Sequence, residues 1–181
     1  MIGNDGHSKV RQLDLSALKI IKYPDPRLRE KSTEFQSIEE ELKGFVEAMS
    51  DLMFKANGVG LAAPQVGVTA RLFIVCTDLD NRSLSVFINP EILSEEGTQE
   101  EEEGCLSIPN VSARIKRPNV VTVRATNLAG EVFEATGRGL LARAFRHEMD
   151  HLDGTLFIDR MGTVAKLANR RALRDLEEQF A

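Results

Sequence analysis

His147-Glu148-Met149-Asp150-His151 decides how this chain is read. Residues four apart on an α-helix stand nearly one above the other, so the two imidazoles point the same way and can grip one metal ion. Glu148 lies about 100° around the helix from His147, beside such an ion but angled away from ligating it, where it can take a proton from water. A catalytic site of the zinc type keeps three protein ligands and leaves a fourth position for water, so a third ligand has to be found. Gly154 continues an extended three-histidine motif, but Phe157 stands where its last histidine would be. Cys105 is the best remaining candidate, in the glycine-containing, non-helical segment Glu103-Gly104-Cys105-Leu106-Ser107. Glu103 is close enough in sequence to support the ligands from behind.

The pattern around the motif predicts a helix from near Gly139 to Gly154, a residue suited to a left-handed C-terminal cap. Leu141, Phe145, Met149 and Leu152 share a face at core spacing, whereas Leu140, Ala144, His147 and His151 share another. Leu140 and Ala144 therefore continue the ligand stripe as an apolar wall, which suits a substrate with a hydrophobic side chain beside the bond to be cut.

The chain has 181 residues, 42% of them hydrophobic, enough for one domain with a substantial core. Its formal charge of −5 argues against broad affinity for DNA or for anionic membrane surfaces. No stretch is long and apolar enough to span a bilayer, and no secretory or organellar leader is evident. Two cysteines, Cys76 and Cys105, in a chain without a signal point to a reducing, cytoplasmic setting. Cys76 ends an apolar run and reads as a packing residue.

Residues 1–17 are expected to form a flexible N-terminal extension, followed by a catalytic metallohydrolase domain over 18–181. Ser37 and Glu40 make a capping-box pattern ahead of a helix carrying Ile38, Leu42, Phe45, Val46, Met49, Leu52 and Met53, which should end near Asn57-Gly58. Strand-like runs occur at Leu72–Cys76, Leu84–Ile88, Val120–Ala125 and Glu131–Ala135, the last two joined by a hairpin loop. The acidic run Glu100–Glu103 reads as a solvated face. Short antiparallel strands between helices predict an α+β fold, with antiparallel sheets packed around a central metal-binding helix, an N-terminal helix and a C-terminal helix. The C-terminal helix covers Thr163–Phe180 and carries Lys166, Arg170 and Arg174 four apart on one face.

Gly58-Val59-Gly60-Leu61-Ala62-Ala63-Pro64-Gln65 lacks the Gly-Lys-Ser/Thr ending of a phosphate loop. It reads either as a plain tight turn or as backbone that a peptide-like ligand approaches closely, with Gln65 offering an amide donor to a developing oxyanion.

Three segments, in order, resemble the signature motifs of the peptide deformylase family: Gly58 to Gln65, Glu103 to Ser107, and His147 to His151. Tyr23-Pro24-Asp25-Pro26-Arg27-Leu28-Arg29 resembles the family's start, and the resemblance runs from about Leu18 to about Arg160. The family's third motif usually has Gln directly before the first histidine, where this chain has Arg146. The resemblance implies removal of the formyl group from the N-terminal formylmethionine of newly made polypeptides. It implies one divalent metal held by Cys105, His147 and His151, iron(II) in cells and often zinc, nickel or cobalt in purified protein. Glu148 would serve as general base and acid, and Gln65 with the Leu106 backbone N–H would stabilise the oxyanion. Val59 and Gly60 would bind the peptide main chain, Leu140 and Ala144 would face the methionine side chain, and the C-terminal helix becomes a candidate ribosome contact. Two rival readings stand beside this one. A gluzincin-like peptidase would use Glu177 or Glu178 as third ligand, and a non-enzymatic binding module would have lost turnover while keeping the fold, against which the presence of Glu148 argues.

Overall fold

A computed structural model describes residues 6–76, 78, 81 and 83–180. The helices are α1 (Gly6–Arg11), α2 (Glu41–Lys55), α3 (Leu140–Leu152) and α4 (Thr163–Phe180). The strands are β1 (Gly60–Ala62), β2 (Leu72–Val75), β3 (Ser85–Glu96), β4 (Gln99–Cys105), β5 (Ile108–Arg117), β6 (Val120–Thr126) and β7 (Val132–Arg138). An antiparallel sheet runs in the order β1-β2-β3-β6-β7, and β4 pairs with β5 in a separate two-stranded ribbon.

The apolar run of β2 is explained by burial on both faces. Leu72 and Ile74 pack toward Leu42, Phe45, Met49 and Met53 of α2, whereas Phe73 and Val75 pack with Phe145, Met149 and Leu152 of α3. Phe73 stacks on Phe87 with centroids 4.7 Å apart, and Phe145 meets Phe87 edge-on at 5.0 Å. A third apolar cluster joins Ile108, Val111, Ala113 and Ile115 of β5 to Leu156, Phe157 and Leu176, which seats α4 against the ribbon. The α+β architecture expected from the sequence, with antiparallel sheets about a central helix, is the one found.

Several local expectations change. The ribbon β4–β5 was hidden because β4 is a run of Gln and Glu, whose charges oppose the usual strand signature. Its cross-strand partners compensate: Glu100 faces Lys116 and Glu102 faces Arg114. The Ser37–Glu40 capping box does not form; α2 starts at Glu41 with no side-chain cap, and Ser37 Oγ bonds Glu39 instead. The helix does stop where expected, with Asn57 at φ 55° and Gly58 N donating to Met53 O at 2.9 Å. Much of the stretch read as an N-terminal extension is built into the fold. Val10 is buried in the α2 cluster, and Lys9 Nζ donates to Thr69 O at 2.8 Å and Thr69 Oγ1 at 2.7 Å. Cys76 is fully buried, as a packing residue should be.

Candidate active site

The helix that carries both histidines is held at each end by backbone geometry. Gly139 precedes it at φ 54°, and past its end Gly154 takes φ 71°. Gly154 N donates to His151 O and Thr155 N to Asp150 O, which together satisfy the last carbonyls. A Cβ at Gly154 would stand 2.4 Å from Arg29 O, so only glycine lets the 26–29 turn close over this end. The apolar face of α3 anchors it on the sheet, which turns His147, Glu148 and His151 toward the ribbon.

At the end of β4, Cys105 meets that face. Cys105 Sγ lies 3.3 Å from His151 Nε2, and one ligand atom each from Cys105, His147 and His151 falls within 4.8 Å of the others. His147 Nδ1 sits 3.3 Å from Glu103 Oε2, which leaves Nε2 as the ring atom free to face an ion. Among the described residues, the buried His151 Nδ1 has no hydrogen-bond partner. Burial, then the charges of His147 and Arg117, hold the His151 imidazole well below its usual pKa, in the neutral form a ligand needs. For His147 burial opposes protonation, but Cys105, Glu103 and Glu148 outweigh it and raise the pKa well above the ordinary value. The same negative charges favour a cation at this position. A sulfur, two ring nitrogens and surrounding negative charge thus fit a divalent ion of borderline softness.

Behind His147 and Cys105 lies a charged network that the sequence reveals only in part. Burial acts to raise the Glu103 pKa, yet hydrogen bonds from His147 and Arg117 hold it at about 2. Arg117, 4% exposed, grips Glu103 with Nε at 2.9 Å and Nη2 at 3.0 Å, and reaches Asp150 Oδ2 with Nη1 at 2.6 Å. Asp150 also accepts from Arg160 Nη2 at 2.8 Å and lies 3.5 Å from Arg146 Nη2, while Arg146 Nε pairs with Glu95 at 2.9 Å. Arg117 was missed because its partners lie 14 and 33 residues away. The available signal was the buried Asp150 within the histidine motif, which demands a cation.

Glu148 is 3% exposed, its Oε2 has no hydrogen-bond partner among the described residues, and burial pushes its carboxyl up to about 7. Gln65 Oε1 accepts from the Ala62 backbone N–H at 2.8 Å. Because that N–H can only donate, the amide is oriented, and Gln65 Nε2 faces Cys105 Sγ at 3.4 Å and Ser107 Oγ at 3.3 Å. A cavity of about 420 Å³ opens over these groups. Val59, Gly60, Leu106, Leu140 and Ala144 line it together with Gln65, Cys105, His147 and Glu148, while His151 lies behind Cys105. Glu177 is not part of this site: it accepts from Tyr23 OH at 2.5 Å and borders a different cavity.

Comparison with known proteins agrees with this geometry. Residues 17–167 match the family described as Polypeptide deformylase. A peptide deformylase of Clostridium botulinum is 54% identical over 141 residues, covering 78% of this chain and 94% of that protein. One from Acidobacterium capsulatum is 45% identical over 160 residues, covering 87% and 94%. The crystal structure of a peptide deformylase from Legionella pneumophila superposes with a TM-score of 0.84 at 41% identity, over 90% of this chain and 96% of that one. A Plasmodium falciparum peptide deformylase gives a TM-score of 0.86 at 37% identity over the same shares. With the motifs in order, the fold shared and the matches spanning most of both chains, this chain belongs to the polypeptide deformylase family.

Proposed function

We propose that this chain hydrolyses the formyl amide at the N-terminus of newly made polypeptides, with Cys105, His147 and His151 holding a divalent metal, iron(II) in the cell. Family membership supports the reaction, and the convergence of the three ligand atoms within 4.8 Å is the observation that carries the site. The ligand set also accepts zinc, nickel or cobalt. An ion held there would supply Lewis acidity for the hydrolysis.

The protein groups do the rest. Glu148, buried beside Gly60 and His147, takes the proton from water as its oxygen bonds the formyl carbon. Gln65 Nε2 and the Leu106 N–H donate to the tetrahedral oxyanion. Glu148 then passes the proton to the departing amine, the C–N bond breaks, and formate and a free methionine amino group result. β1 is the end strand of its sheet and Gly60 faces the cavity, so Val59 and Gly60 present main-chain groups along which an extended peptide can lie. Leu140 and Ala144 give an apolar seat for the methionine side chain.

Formate release from a formyl-Met peptide by anaerobic, iron-loaded protein tests this reading. The wild type should turn over, and Glu148→Ala should lose about 10²–10⁴-fold in rate; a wild type without formate release overturns the proposal. Cys105→Ser should lower metal content at least about tenfold, because a soft ligand is replaced by a hydroxyl. Unchanged metal content would reject Cys105 as a ligand.

The same reading places the protein in the cytoplasm with the nascent chain, and no described helix is long and apolar enough to cross a membrane. Lys166, Arg170 and Arg174 of α4 border one surface cavity, with Arg29 paired to Asp159 and Glu177 bonded to Tyr23 beside them, and the three α4 cations support a ribosomal contact through that helix. Co-sedimentation with ribosomes that survives replacement of those three residues by Glu would reject the contact.

A further inference from the structure

β4 and β5 are joined by the two-residue turn Leu106-Ser107, closed by the Cys105–Ile108 pair, and the register breaks before the next pair, Gly104–Ser112. Two-residue hairpins are most stable in turn types with positive φ at the first central residue. Neither Leu106 nor Ser107 has positive φ, and the register break at Gly104 separates the turn from the continuous ladder. The turn's carbonyls are instead held from outside. Lys22 Nζ donates to Leu106 O at 2.6 Å, and Tyr23 N donates to Ser107 O at 2.9 Å. One residue earlier, Ile21 N donates to Gln65 O at 2.8 Å. Three successive residues thus tie together the two segments from which Gln65 and Leu106 face the cavity.

Two of these bonds come from backbone N–H groups, which any residue except proline would supply. Only the Lys22 bond depends on which side chain is present, and it is charge-assisted and half-buried. We propose that Lys22 is a positioning residue for deformylation: its ammonium, anchored on the Leu106 carbonyl, fixes the Leu106–Ser107 peptide unit and thereby limits the rotation about Leu106 that would turn its N–H away from the oxyanion. The proposal rests on the reading of Leu106 as an oxyanion donor. Because the oxyanion exists only past the ground state, losing this alignment lowers kcat and leaves KM nearly unchanged.

The test compares Lys22→Met, which keeps length and removes the donor, with Lys22→Arg, which keeps a cationic donor. Steady-state kinetics with a formyl-Met peptide are measured at matched metal content. Lys22→Met should lose about tenfold in kcat, less than the 10²–10³ for removing an oxyanion donor outright, with KM within about twofold. Lys22→Arg should recover most of that loss. In zinc-loaded, ¹⁵N-labelled protein, the backbone order parameters of Leu106 and Ser107 should fall from about 0.85 toward 0.6 in Lys22→Met and stay high in Lys22→Arg. An unchanged kcat in Lys22→Met, equal losses in the two variants, or rigid Leu106 and Ser107 in Lys22→Met would each overturn the proposal. A wild type that released no formate would instead overturn the assigned reaction, while the order parameters would still decide whether Lys22 holds the turn.

Discussion

Gly60 and Glu148 stand so close that a β-carbon at Gly60 would lie 2.4 Å from Glu148 Oε1 and 3.0 Å from its Cδ. The glycine of β1 therefore sets where the carboxylate rests, and the two motifs that carry them act as one unit. Gly60→Ala should fold, since no positive φ is required there. It should nonetheless lose about 10²-fold in kcat/KM, the cost of displacing a catalytic group by roughly 1 Å. Full activity in Gly60→Ala would show that Glu148 has room to move.

Arg117 is the sole contact between the buried Glu103 and Asp150 that the hydrogen bonds of the described residues record. Arg117→Met should destabilise the protein by about 3–5 kcal/mol in denaturant unfolding, because it strands a buried carboxylate. Metal affinity should fall about 10–100-fold as His147 loses its oriented partner. A loss below about 1 kcal/mol would mean that water replaces the guanidinium.

Arg146 stands where the family usually has Gln, yet Asp150 keeps Arg117 and Arg160 at 2.6 and 2.8 Å without it. Arg146→Gln should change stability by no more than about 1 kcal/mol, since its partner Glu95 is exposed. Metal content measured by elemental analysis should not change. A clear drop in bound metal would show that Arg146 supports His147 through Asp150.

Tyr23 is the chain's one tyrosine and there is no tryptophan, so tyrosinate absorbance reports on it alone. Burial first, then the hydrogen bond to Glu177 and its charge, push its pKa up to about 12. The unfolded value is about 10, so the folded state holds this proton more tightly; that contribution is complete below pH about 10 and is lost as pH rises toward 12. Native protein should titrate near the upper value, and Glu177→Gln should lower the midpoint while leaving it above the unfolded one. A native midpoint equal to that of the unfolded chain would mean that α4 does not cover Tyr23.

The candidate site residues were readable in the sequence because each lies in a short stretch whose spacing has local meaning. His147 and His151 share a helix face through helical geometry alone, and Gly139 and Gly154 delimit that helix through backbone freedom. The long-range partners were not readable. Arg117 and Lys22 take their roles from contacts 14 to 84 residues away, and the ribbon β4–β5 from its cross-strand charge pairs. β4 in particular has the composition of a solvated acidic stretch until Lys116 and Arg114 lie opposite it. Local propensity and periodicity determined which groups could bind a metal and which helix carries two of them. The tertiary structure alone decided that Cys105 meets His151, that Glu103 and Arg117 stand behind His147, and that Lys22 reaches Leu106, because a buried charge or an unpaired carbonyl selects its partner by proximity in the fold.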